Sequence, residues 1–154
     1  MWERWNSYTI KNGFGPVSMN SFNHYAYGAV QDWMMAYSAG IQRDERQPGY
    51  KHIYLQPRVG GHICHVKGKY NSMYGEIKSS WISDNNDVTK DAKDYGYTYK
   101  AQIPANTSAT LTLPVPLKKI KVMEGKKGII AKTFDNNNSV IGLTSGTYTF
   151  YISK

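Results

Sequence analysis

Apolar side chains recur at three- and four-residue steps through Phe22, Ala26, Val30, Trp33 and Tyr37. That spacing predicts a helix over 21–39. Ser18 or Asn20 is placed to cap its start, after the loop Asn12-Gly13-Phe14-Gly15-Pro16, and Gly40 to close it in a left-handed conformation. Trp33, Met34, Met35 and Tyr37 leave the helix apolar over most of its circumference, so it needs neighbours on more than one side. Beyond Gly40 the pattern changes. A charged segment, Gln42 to Gly49, ends in a Pro48-Gly49 turn. From Tyr50 onward short alternating runs are separated by turn residues: His52 to Gln56, His62 to Tyr70, Tyr74 to Ser83, Tyr95 to Ile103 and Thr107 to Leu113. Paired runs follow around 118–123 and 128–134, then 139–143 and 147–152 joined through Ser145-Gly146. About seven to nine short strands at regular spacing predict a mainly β fold, an antiparallel β-sandwich or barrel.

Composition narrows the classes. The chain has 154 residues, enough for one domain with a sizeable core. Its 4 Trp, 13 Tyr and 4 Phe exclude a disordered tail. No run approaches the roughly 18 apolar residues of a membrane span, and Met1-Trp2-Glu3-Arg4-Trp5 lacks the apolar run and small-residue cleavage site of a signal peptide. No membrane partner is expected. A single cysteine, Cys64, excludes an internal disulfide. The net charge of +8 raises nucleic acid as a partner, but 15 lysines stand against 4 arginines and are scattered along the chain. The densest, Lys118-Lys119-Ile120-Lys121 and Lys126-Lys127, read as a β-hairpin with one solvated face. Phosphate and base recognition favours arginine forks on an organised surface, so no nucleic-acid partner is expected.

Three constellations could carry chemistry. Trp2-Glu3-Arg4-Trp5 sets a carboxylate between two indoles. Aromatic walls raise a carboxyl pKa and a neighbouring guanidinium lowers it, which suits a tuned acid or base, and indoles are platforms for sugar rings. An ordinary amphipathic segment reads the same way. In Asn20-Ser21-Phe22-Asn23-His24-Tyr25-Ala26-Tyr27-Gly28, small residues permit close approach and His24 could donate to a ligand hydroxyl or serve only as a structural hydrogen-bonder. His62-Ile63-Cys64-His65 would split its side chains between two faces of a strand, a poor zinc geometry, so no metal is expected and Cys64 reads as a small buried residue. No phosphate loop or nucleophile elbow is present, and no cofactor is expected.

Together these motifs resemble the bacterial α-L-rhamnosidases of glycoside hydrolase family 78. The resemblance continues through Asp32-Trp33, Ala39-Gly40-Ile41, Pro48-Gly49-Tyr50-Lys51, Gly60-Gly61, Ser72-Met73-Tyr74-Gly75 and Ser80-Trp81, and more thinly through Ile103-Pro104-Ala105-Asn106-Thr107 and Ser145-Gly146-Thr147-Tyr148-Thr149-Phe150. It implies an (α/α)6 barrel that holds the active site, followed by a β-sandwich. Residues 1–49 would be the C-terminal end of that barrel, with one α-helix left over from it, and 50–154 the sandwich. The resemblance gives Glu3 the role of general base in an inverting hydrolysis and His24 that of a sugar contact, with Trp2 and Trp5 as pocket walls. Departures at Gln31, Met34-Met35-Ala36, His62 and His65 lie away from that site.

An inverting glycosidase needs an acid and a base roughly 6.5–9.5 Å apart. In the family the acid and the sugar-binding aspartates come from earlier barrel helices. Asp32, on the packed helix, and Asp44 and Glu45, in the connector, are poor substitutes. The implied partners are a rhamnose-containing glycan and the missing barrel in cis, and the fragment alone is expected to be inactive and to self-associate through its helix. The competing expectation is a free-standing sandwich that binds carbohydrate or a partner protein, with Tyr95, Tyr97 and Tyr99 alternating on one sheet face, exposed or as a half-buried aromatic ladder.

Overall fold

A computed structural model describes residues 1–135 and 137–154, which fall into two compact units, Met1–Trp33 and Met34–Lys154. In the first, strands β1 (Tyr8–Thr9) and β2 (Gly13–Phe14) form a short antiparallel ladder. Helical structure begins later than the apolar spacing predicts, with a 3-10 turn at Tyr25–Gly28 that leads into helix α1 (Ala29–Trp33). The cause is a competing pairing. Glu3 N–H donates to the Ser21 carbonyl at 2.8 Å and His24 N–H to the Met1 carbonyl at 2.8 Å, which ties the bend at 21–24 to residues 1–3. Phe22 is drawn out of the helical stripe into an edge-to-face stack with Trp2 (4.9 Å) and Phe14 (5.6 Å). Neither expected cap acts as one. Ser18 lies inside a 3-10 turn, and Asn20 Nδ2 donates to the Ser7 carbonyl instead. α1 buries none of its residues, so Asp32 is exposed rather than packed.

The second unit opens with a π-helical turn, Met34–Ser38, and the left-handed Gly40 (φ +74°). Ten strands then build two five-stranded sheets: β3 (Ile41–Arg43), β4 (His52–Leu55), β5 (His65–Ser72), β6 (Gly75–Ser83), β7 (Tyr97–Ile103), β8 (Ser108–Leu113), β9 (Ile120–Glu124), β10 (Ile129–Asp135), β11 (Asn138–Leu143) and β12 (Gly146–Ile152). One sheet has the order β10-β11-β8-β4-β3 and the other β5-β6-β7-β12-β9. This is the expected mainly β sandwich, with one departure: β4 and β8 pair in parallel, with His52 opposite Ser108. β3 also extends the sheet into the charged segment at Gln42 and Arg43.

Successive strands mostly change sheets. The 118–123 and 128–134 runs are not a hairpin, since β9 and β10 belong to opposite sheets, and the same holds for β11 and β12. Only the inward residues of each strand build the core: Ile53, Leu55, Leu111, Leu113, Ile141 and Leu143 from one sheet, and Ile77, Tyr99, Tyr148, Phe150 and Ile152 from the other. Each such burial stabilises the fold by about 1.5–3 kcal/mol. Tyr97 and Tyr99 are buried, with Tyr99 stacked across the strand pair on Phe150 (6.4 Å), so they form a core ladder and not an exposed binding row.

The corner that joins the π turn to β3 is clamped onto the sandwich. Ser79 Oγ donates to the Ala39 carbonyl, Trp81 Nε1 to the Ser38 carbonyl (3.0 Å), Gln56 N–H to the Gly40 carbonyl (2.8 Å) and Arg58 N–H to the Tyr37 carbonyl (3.0 Å).

Candidate active site

In the first unit, Met1, Trp2, Glu3, Arg4, Trp5 and Tyr27 line a cleft of about 610 Å³. The pairing of 1–3 with 21–24 builds it. The same Ser21 whose carbonyl accepts the Glu3 N–H donates its own N–H to Glu3 Oε2 at 2.8 Å. The carboxylate is therefore bonded through one oxygen by a backbone donor, within a residue that lines the cleft. Tyr27 Oη donates to the Glu3 carbonyl at 3.2 Å, and its ring lies 4.7 Å from the His24 ring. Trp2 is half-exposed, braced by Phe22, while Trp5 is fully exposed at 102%.

Of the residues singled out in the sequence, the structure brings Glu3, Trp2 and Trp5 into one cleft. His24 reaches it only through Tyr27 and does not line it. Sequence reasoning missed Tyr27 and Ser21. Tyr27 sits three residues after His24 on a helical turn, a spacing that puts the two rings together and could have exposed it. Ser21 acts through its backbone N–H, which no residue type announces. Arg4, which lines the cleft, has a buried Nε without a hydrogen-bond partner among the described residues.

Chemically, the cleft offers a fixed carboxylate, aromatic walls that suit the apolar face of a sugar ring, and a guanidinium. The remaining acid of this unit, Asp32, does not line it. Among the described residues, no group of three or more His, Cys, Asp or Glu could hold a metal ion. The His62-to-His65 segment is a turn that enters β5 at His65, and Cys64 is half-buried rather than a core residue. No helix among the described residues is long and apolar enough to cross a membrane.

The sequence matches the bacterial α-L-rhamnosidase C-terminal domain over residues 40–128 and the bacterial α-L-rhamnosidase six-hairpin glycosidase domain over residues 1–38. An α-L-rhamnosidase of Streptomyces avermitilis is 35% identical over 114 residues, 74% of this chain and 10% of that protein. An α-L-rhamnosidase of an Alteromonas species is 31% identical over 98% of this chain and 14% of its own length. The crystal structure of the S. avermitilis α-L-rhamnosidase complexed with L-rhamnose superposes with a TM-score of 0.72 and 29% identity, covering 99% of this chain and 14% of that one. This chain thus spans only a tenth to a seventh of the relatives it matches. It belongs to the bacterial α-L-rhamnosidase family, and corresponds to a C-terminal portion of those enzymes.

Proposed function

We propose that this chain supplies the general base to an inverting α-L-rhamnosidase that hydrolyses terminal α-L-rhamnosides, and that it is inactive without the barrel that supplies the acid. The observation that carries the reading is the Glu3 carboxylate, held through Oε2 by the Ser21 N–H in an aromatic cleft. A carboxylate fixed at one oxygen can take a proton from water with the other, and a positioned base contributes about 10²–10⁴-fold to such a step. The activated water attacks the anomeric carbon on the face opposite the leaving oxygen. That oxygen takes its proton from an acid outside this chain, across the roughly 6.5–9.5 Å that leaves room for the water. Trp2 and Trp5 wall the sugar site, and His24, outside the cleft lining, contacts the sugar only where it extends past the Tyr27 ring.

The test is Glu3→Gln in the complete enzyme. A fall of about 10²–10⁴-fold in kcat with KM little changed is expected, since only the transition-state interaction is lost. Azide, which needs no base, should restore turnover as the inverted rhamnosyl azide. An unaltered kcat overturns the assignment, and hydrolysis of an aryl α-L-rhamnoside by the 154-residue chain alone overturns its inactivity.

A further inference from the structure

The charge excess that the sequence spreads along the chain is gathered by the fold. On β5, β6, β7, β12 and β9 the inward residues are core, and the alternate positions form one outward face. The register aligns those outward residues in rows across the strands. Lys67 lies opposite Ser80, Ser80 opposite Lys100, and Lys100 opposite Thr149. In the next row Lys69 lies opposite Lys78, and Lys78 opposite Gln102. Lys121 stands opposite Tyr151 at the far side. Five lysines thus share the face with three carboxylates, Glu76, Glu124 and, at its edge, Asp84, which accepts from the Tyr151 hydroxyl. Glu76 neutralises the like-charged Lys69–Lys78 pair, contacting Lys69 and, at 2.7 Å, Lys78. Glu124 accepts from Thr149 Oγ1. Lys67, Lys100 and Lys121 form no ion pair among the described residues. Lys67 and Lys100, about 10 Å apart at two strand spacings, flank a hollow of about 320 Å³ also lined by His65, Val66, Ser80, Trp81, Ile82 and Thr98.

Two unpaired ammonium groups beside the Ser80 and Thr98 hydroxyls fit a carboxylate or sulfate group, and the Ser and Thr rows fit the hydroxyls of the sugar that bears it. None of the four arginines lies on this face, and of its aromatic rings among the described residues, His65 and Tyr151, the tyrosine is tied to Asp84 Oδ2 at 2.8 Å. Guanidinium forks, which single-stranded nucleic acid uses, are therefore missing from it, and its free stacking surface is confined to the His65 ring. We propose that the outward face of the β5-β6-β7-β12-β9 sheet binds an anionic polysaccharide, with Lys67 and Lys100 as the paired contact for its acidic groups. The choice of a carbohydrate polymer rests on the proposed action on rhamnosides. Binding is read without catalysis, so either reading can fail alone.

The test is affinity electrophoresis of the 154-residue chain at about 0.15 M salt through polygalacturonate, dextran sulfate, neutral dextran or single-stranded DNA, with the thermal melt as a folding control. Retardation by a polyanionic glycan, and none by neutral dextran, is expected. Lys67→Glu/Lys100→Glu should weaken it about tenfold or more, while Lys127→Glu/Lys132→Glu, with the same change of net charge elsewhere, should leave it within about twofold. The two glycans separate carboxylate from sulfate recognition. Equal losses in both double variants reduce the effect to net charge and overturn the proposal. So does the absence of glycan binding, equal retardation by neutral dextran, or tighter binding to DNA through the same two lysines.

Discussion

Tyr97 carries a hydroxyl into the core without a hydrogen-bond partner among the described residues, and burial pushes its pKa up. A buried unpaired polar group costs about 1–3 kcal/mol. Tyr97→Phe should therefore stabilise the chain, raising Tm by about 2–4 °C per kcal/mol recovered. A lower Tm would mean that the hydroxyl is satisfied. Tyr99, one strand step away, is the opposite case: its hydroxyl meets Ser79 Oγ at 2.9 Å, and Tyr99→Phe should destabilise. Asp44, read from the sequence as part of a charged connector, is buried. The Arg46 backbone N–H holds its pKa below the usual carboxylate range, aided by the Arg46 side chain and the Tyr54 hydroxyl. A pKa lowered by folding gives stability that is present above the unfolded value, about 3.9, and is lost as pH falls through the folded one. The Tm gap between wild type and Asp44→Asn should be widest near neutrality and close in acid. A constant gap across thermal melts would show that the ionised form is not what matters. The tyrosine ladder was legible from the alternation of Tyr97 and Tyr99, whereas the burial of Asp44 was not, because residue type reports the cost of burying a carboxylate and not the turn in which the Arg46 N–H and side chain offset it.

Among the elements, the corner at Ser38–Gly40 has the least tolerance. A side chain on Gly40 would sit at φ +74° with its Cβ 2.2 Å from the Pro57 backbone nitrogen, and Gly68 brings β5 against Ala39 in the same way. Gly40→Ala should cost roughly 2–4 kcal/mol, read by thermal melt and by the fluorescence of Trp81, whose indole bonds this corner. A Tm within a degree or two of wild type would contradict that packing. Gly40 itself was readable, because an apolar helical stripe followed by glycine is a local signal. Strand positions were also legible, since the period-two alternation of β6, β7, β8 and β12 records which face is buried. Their partners were not. Ser145-Gly146 looks like a hairpin turn, yet it carries the chain from one sheet to the other, and nothing local distinguishes a turn within a sheet from a corner between sheets. The helix start failed similarly, because the pairing of Glu3 with Ser21 spans 18 positions and overrides local spacing.

At the scale of the whole molecule, the proposed base, Glu3, was legible as a motif, while the Ser21 N–H that bonds its carboxylate appeared only on folding. Val30, in the first unit, and Met34, in the second, are more than half exposed, as are Ile130 and Phe134 of the sandwich. The isolated chain should therefore self-associate with rising concentration, seen in sedimentation as a mass above 17.5 kDa. A monomer at all concentrations would refute this. The parallel contact between β4 and β8, with the His52 ring bonded to Ser108 Oγ at 2.7 Å across 56 positions, has a consequence in time. At the ~5–20 residues per second of protein synthesis, β4 leaves the ribosome about 3 to 11 s before its neighbour exists. Through that interval Ile53 and Leu55 sit on an open strand edge that invites other chains. The yield of folded protein in a cell is then tied to elongation speed over this stretch, and a translational pause between the two strands lengthens the exposure even though the finished sandwich is unchanged.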